Sequence, residues 1–133
     1  MGKMVSLSYQ GDFTKVQKEF EKLKNIFNAD VLNKYGKWGV ESLKKYTPKD
    51  TGKTSESWYY EIHYGKDISE VVWKNSNVNK GVNIALVIQY GHGMPNGAYV
   101  EGVDYINPAL QEVFREIEND AKEEVNKLLW ADQ

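Results

Sequence analysis

Any chemistry in this chain would rest on two histidines, His63 and His92, and on carboxylates, because cysteine is absent. Without cysteine there is no disulfide, no thiol nucleophile and no thiolate metal site. His63 stands among alternating residues between Tyr59 and Tyr64, and reads as a half-exposed sheet position rather than a base. His92 lies in Gly91-His-Gly-Met-Pro-Asn-Gly97, a better place for a working histidine, since loops carry much of a protein's function. It has no motif partner: no second histidine at helical spacing and no acid in the same loop. Glu101 and Asp104 follow later and would be the carboxylates of a small hydrolase. Ser55 and Ser57 lack a nucleophile-elbow context. From these residues no catalytic group, cofactor site or metal site is read, and the chain is expected not to be an enzyme.

Two nucleotide-like signals fail on inspection. Gly52-Lys53-Thr54 resembles the end of a phosphate-binding loop, but Thr47 stands where its first glycine belongs and a helix precedes it instead of a strand. The glycines of 91–97 do not make a dinucleotide fingerprint, because Asn96 occupies the third glycine position.

The elements that would position these groups are readable from periodicity. Residues 4–9 alternate as a short strand, and Asp12 caps an amphipathic helix with Phe13, Val16, Phe20, Leu23 and Phe27 on one face. Asn28-Ala29-Asp30 recaps a second helix carrying Val31, Leu32, Tyr35, Trp38, Leu43 and Tyr46 on one side. Gly36 and Gly39 weaken it, and are expected to allow close packing against the first helix. Pro48 ends it near Tyr46, in the corner Tyr46-Thr-Pro-Lys-Asp-Thr-Gly52. Asp50 and Thr51 can accept backbone hydrogen bonds there, and Gly52 tolerates positive φ.

Past the corner the period becomes two. Ser57 to Tyr64 puts Trp58, Tyr60, Ile62 and Tyr64 on one face, and Ser69 to Lys74 returns antiparallel after Gly65-Lys66-Asp67. Asn75 to Gly81 reads as a polar loop. Val82 to Tyr90 alternates as the most apolar strand candidate, although Ala and Leu leave a short helix open. Residues 91–97 read as an irregular loop and 98–106 as an extended segment broken at Gly102. Asn107 caps and Pro108 opens a final helix with the stripe Leu110, Val113, Phe114, Ile117, Ala121, Val125 and Leu128. The expected class is α+β in a single domain, 1–133. It comprises an N-terminal helical hairpin (about 12–46), a small antiparallel β-sheet region (about 55–106), and a C-terminal helix (about 108–129) packed on the sheet.

Composition narrows the partners. A net charge of −2 argues against tight or sequence-specific nucleic-acid binding, which needs a basic surface. No apolar run reaches membrane-spanning length, and the N-terminus lacks a signal-peptide core, so no membrane partner is expected. Nine tyrosines and four tryptophans suit protein–protein contact as well as half-buried strands.

Three short motifs stand in a recognisable order. They are Tyr46-Thr-Pro-Lys-Asp-Thr-Gly52, with Ser57 beyond it, then Ile88-Gln-Tyr-Gly-His-Gly93, then Tyr105-Ile-Asn-Pro-Ala-Leu110. In this the chain resembles the small neck proteins of long-tailed bacteriophages and prophages, also called minor capsid, tail-completion or head–tail joining proteins. The resemblance runs from about residue 12 to 129, with Thr54 where such proteins usually carry an apolar residue. It implies a structural virion protein, assembled in the bacterial host cytoplasm and seated in the neck. There it would form a ring, hexameric in the particle and monomeric in isolation in some cases. It also implies contacts with neighbouring connector and tail-tube proteins, and no cofactor. Contacts between ring subunits are expected at Asp50, Thr51 and Gly52 and at Tyr90, Gly91, His92, Gly93 and Tyr99. Two other readings compete: a phage-encoded hydrolase using His92 with Glu101 or Asp104, and a monomeric binder of a host factor.

Overall fold

Asn28 opens the first helix by accepting a hydrogen bond from the Val31 N–H at 3.1 Å. A computed structural model describes residues 27–49, 52–66 and 68–130, without the side chains of 128 and 129. The strand expected at 4–9 and the helix expected from Asp12 lie outside the described residues. The second half of the expected helical hairpin is therefore the part on view.

That helix, α1 (Ala29–Tyr46), buries Leu32, Tyr35 and Leu43 as its spacing predicts, together with Gly36, Gly39 and Ser42. It stops where Pro48 requires, with Thr47 extended at ψ 126°. A single helical turn, α2 (Lys53–Glu56), follows the corner and interrupts the expected run into the sheet. The hairpin then forms as its alternation predicts. β1 (Trp58–Tyr64) pairs antiparallel with β2 (Ser69–Asn75), in a register running from Trp58 opposite Asn75 to Tyr64 opposite Ser69. Val71 and Trp73 are buried, and Trp58, Tyr60 and Ile62 pack against the same core. On the other face Val72 is buried opposite Glu61, while His63 is exposed beside Glu61 at 3.0 Å and Lys74 bridges the same carboxylate at 2.9 Å.

The two helix glycines meet this hairpin, and the N-terminal helix expected against them lies outside the described residues. The Trp73 ring lies against Gly39 and the Tyr60 ring against Gly36, so closely that a Cβ at either position would overlap the ring. The Trp73 indole N–H donates to the Gly36 carbonyl at 2.9 Å, and the Tyr60 hydroxyl donates to Asn33 Oδ1 at 2.6 Å. Helix and sheet approach this closely because nothing but Cα hydrogens separates them.

Residues 75–83 are more ordered than a polar loop. β3 (Val78–Asn79) pairs with β4 (Val82–Asn83) through Lys80 and Gly81, both at positive φ (51° and 79°), as a tight two-residue hairpin requires. The apolar strand expected over 82–90 is instead a helix, α3 (Ile84–Tyr90), capped by Asn83 accepting from Leu86 N. The irregular loop expected at 91–97 is in fact half of a second hairpin. β5 (Gly91–Gly93) pairs antiparallel with β6 (Tyr99–Glu101), closed by Met94 N–H donating to Ala98 O at 2.7 Å.

The last helix, α4 (Ile106–Trp130), begins two residues earlier than expected. Asn107 lies inside it and is not its cap. Leu110, Val113 and Ile117 of the predicted stripe are buried. The helix was expected on the sheet, but its most extensive contact is with α1, and it shares one core with Val71 and Trp73 of the hairpin. The close crossing is marked by the Ser42 hydroxyl donating to Ala109 O at 2.8 Å.

A polar tie fastens the far end of this helix pair. Asp120 accepts from the Tyr35 hydroxyl and from Lys34 Nζ, both at 2.8 Å. Burial pushes the Asp120 carboxyl up, but the Lys34 and Tyr35 hydrogen bonds outweigh it and hold the group below its ordinary value. A lowered carboxylate contributes stability above its unfolded value of about 4, and loses it as pH falls through the folded value. Urea midpoints should therefore hold above pH 5 and drop below pH 4 (about those values). Asp120→Asn should flatten part of that drop and cost about 1 kcal/mol at neutral pH, because the site is partly screened. An unchanged acid profile in the variant would refute the assignment.

Candidate functional site

The corner, α3 and the second hairpin enclose a groove of about 600 Å³. Its position follows from how each wall is built. Gly52 at φ +79° turns the chain out of the corner and into α2. Thr47 is fixed behind it, donating to Leu43 O and accepting from the Trp58 indole N–H at 2.8 Å. Thr54, the residue that departs from the apolar pattern, is buried and polar for a reason. Its carbonyl accepts from Asn75 Nδ2 at 2.8 Å and its hydroxyl accepts from Asn77 Nδ2 at 2.9 Å. Asn75 Oδ1 in turn accepts from the Asn77 backbone N–H at 2.9 Å. This satisfied cluster pins α2 and the 75–83 segment together.

The opposite wall is made by α3 and the β5–β6 arm. Ile84, Val87 and Ile88 form an apolar floor, and Val100 and Val103 continue it onto the arm. Gln89 faces away, buried, and holds the start of α4. Its Oε1 accepts from the Tyr105 and Ile106 N–H groups at 3.1 and 2.9 Å, and its Nε2 donates to Asp104 at 2.7 Å. The helix is thus capped by a side chain from another element, while Asn107 Nδ2 donates to the same Asp104 oxygen at 2.9 Å. Tyr105 adds a second tie, its hydroxyl donating to Ala85 O at 2.8 Å.

The expected contact residues divide into those brought together and those not. Gly52 and His92 both line the groove. Tyr90, Gly91 and Tyr99 meet on the outer side of the arm, where the Tyr99 hydroxyl donates to Tyr90 O at 2.7 Å. Gly91, at φ +82°, is packed against Val100 O and the Tyr99 hydroxyl, so only glycine fits. Gly93 faces open space. Asp50 and Thr51 lie outside the described residues. Of the two carboxylates weighed with His92, Glu101 shares the groove, whereas Asp104 is engaged by Gln89 and Asn107. His92 Nδ1 is shut off from water and has no hydrogen-bond partner among the described residues. No cluster of three or more His, Asp or Glu able to hold a metal ion occurs among the described residues.

Sequence reasoning missed Gln89, Asn75 and Asn77. The available signal was a lone amide in the apolar run Ile84-Ala-Leu-Val-Ile-Gln-Tyr90, where a buried polar group must be serving a fixed partner. Around the arm, apolar side chains are left in water: Tyr90, Met94, Tyr99, Val100 and Val103 are all exposed. Comparison with family models, with curated proteins and with solved structures gives no match.

Proposed function

We propose that the chain is a structural subunit of the head–tail junction of a tailed phage or prophage, forming a ring from copies of itself between connector and tail tube. The reading starts from the three ordered motifs of the sequence. The observation that carries it is the β5–β6 arm, which exposes Met94, Tyr99 and Val100 and buries none of its own, with Tyr90 and Val103 exposed at its two ends. Side chains of that size left in water mark a contact surface. The arm joins α3 to α4, which the Gln89 and Tyr105 hydrogen bonds fasten together, and Val103 N–H at its end donates to Ile88 O at 2.8 Å. A ring joins unlike patches, head to tail, and the arm supplies one of them.

His92 and Glu101 in one groove keep a hydrolase as the competing reading, and one experiment separates the two. The full-length protein, alone and incubated with tail-less heads of its own phage, is followed by native mass spectrometry and electron microscopy. The structural reading expects a closed assembly of one stoichiometry, alone or on the particle, unchanged by His92→Ala. A protein that stays monomeric in both settings, and whose hydrolytic turnover is abolished by His92→Ala, would overturn it.

A further inference from the structure

The tip of the β5–β6 arm sets an asparagine before a glycine in open water. We propose that Asn96 is a site of spontaneous covalent modification, losing its side-chain amide through a cyclic imide with Gly97, and that the change opens the arm. The inference goes beyond the ring reading and needs no second copy.

The reaction is an intramolecular acyl transfer. The Gly97 backbone nitrogen attacks Asn96 Cγ, a bond forms between them, and the Cγ–Nδ2 bond breaks. The Gly97 proton leaves with that nitrogen as ammonia, and a five-membered imide remains. Solvent water then adds to either imide carbonyl. Opening at one gives an aspartyl chain. Opening at the other gives an isoaspartyl chain, whose backbone runs through the former side chain.

The turn is built for the first step. Asn96 is the one asparagine followed by glycine, and the side of Gly97 where a Cβ would stand is open space. Ala98 N–H donates to Asn96 Oδ1 at 3.0 Å. This side-chain turn folds the amide back over the Gly97 peptide, as a backbone turn would. The same N–H is aimed at the oxygen on which negative charge gathers during attack. Every residue from Gly93 to Val103 is exposed, so water and base reach the site. Gly97 N–H is held by Met94 O at 3.0 Å and must be released before it attacks. That bond closes an exposed turn, Met94-Pro-Asn-Gly97, on a hairpin of only three residue pairs, and short exposed turns open at the least free-energy cost in a fold.

Asn75 is the internal contrast. Its Oδ1 accepts from Asn77 N–H at 2.9 Å, the same two-residue turn. Yet Asn75 is buried, its Nδ2 is tied to Thr54 O at 2.8 Å, and Ser76 follows it.

The consequence lies in the backbone. Met94 N–H donates to Ala98 O at 2.7 Å, and both this bond and the Gly97–Met94 bond span Asn96. An isoaspartyl linkage adds a carbon atom to the main chain between them, so neither bond keeps its ring size. The new carboxylate also sets a charge beside the exposed apolar Met94, Tyr99 and Val100.

The test incubates the full-length protein at neutral pH, native and in urea, and maps its peptides by mass spectrometry. In the native chain the peptide holding Asn96 should gain the mass of –OH for –NH2, as separable aspartyl and isoaspartyl forms. It should do so at least about tenfold faster than the peptide holding Asn75. The rate should rise with pH, by up to about tenfold per unit, because the deprotonated amide attacks. Hydrogen exchange at Met94 should quicken in the converted fraction. Asn96→Ser keeps an acceptor for Ala98 but cannot form the imide, and should show neither change. A native chain still intact at Asn96 once the urea-unfolded chain has converted would overturn the site. Equal rates at Asn96 and Asn75 would overturn the role of the exposed turn, and conversion with Met94 exchange unchanged would overturn the opening of the arm.

Discussion

Gly39→Ala is expected to lower the thermal midpoint by roughly 10 °C, a loss of about 3 kcal/mol. The sign is the informative part. In the middle of a helix, alanine normally gains close to 1 kcal/mol over glycine, because glycine loses more backbone freedom on folding. Here the added methyl would occupy the space of the buried Trp73 ring. That ring cannot slide away, since its indole N–H is bonded to the Gly36 carbonyl and its strand is paired along its length with β1. Relief would require α1 to lift off the hairpin, breaking the Tyr60–Asn33 hydrogen bond as well. Gly39→Ala combined with Trp73→Phe tests the cause, because a smaller ring should recover part of the loss. A single variant as stable as the parent would show that the contact is looser than described.

Gln89→Leu is expected to cost a similar amount, about 3 kcal/mol, although leucine fits an apolar helix better by propensity. The substitution removes the acceptor for two backbone N–H groups at the head of α4 and the donor to Asp104. Tyr105 and Ile106 are both buried, so their N–H groups would be left without water to replace the lost oxygen. Hydrogen exchange should quicken first at residues 105–109, before the rest of α4 loosens. Gln89→Glu keeps an acceptor for the two N–H groups but sets a second carboxylate against Asp104. Its cost should fall between the parent and Gln89→Leu, and should shrink as the pH is lowered toward about 4 and carboxylates protonate. Full stability of Gln89→Leu would mean that α4 is capped by other means.

Both predictions concern residues whose importance is invisible from their neighbours in the chain. What the amino-acid sequence determined by itself was local. Asn28 and Pro48 set the two ends of α1, and alternation set the β1–β2 pairing. The three-four spacing of Leu110, Val113 and Ile117 set the buried face of α4. Each of those signals acts over a few residues, through a cap, a ring-locked φ or a repeat matched to the local backbone.

Tertiary structure decided the rest. Ile84–Tyr90 is apolar enough for strand or helix, and periodicity cannot choose between them. As a helix it turns Gln89 toward α4 and Ile84 and Ile88 toward the groove. Gly36 and Gly39 announced a close approach, but only the assembled layers say that aromatic rings from the hairpin fill it. His92 stood alone in a glycine-rich stretch until pairing with Val100 brought it into the groove that Gly52 also lines. Packing and long-range hydrogen bonds join residues far apart in the chain, and no window of neighbouring residues carries that information.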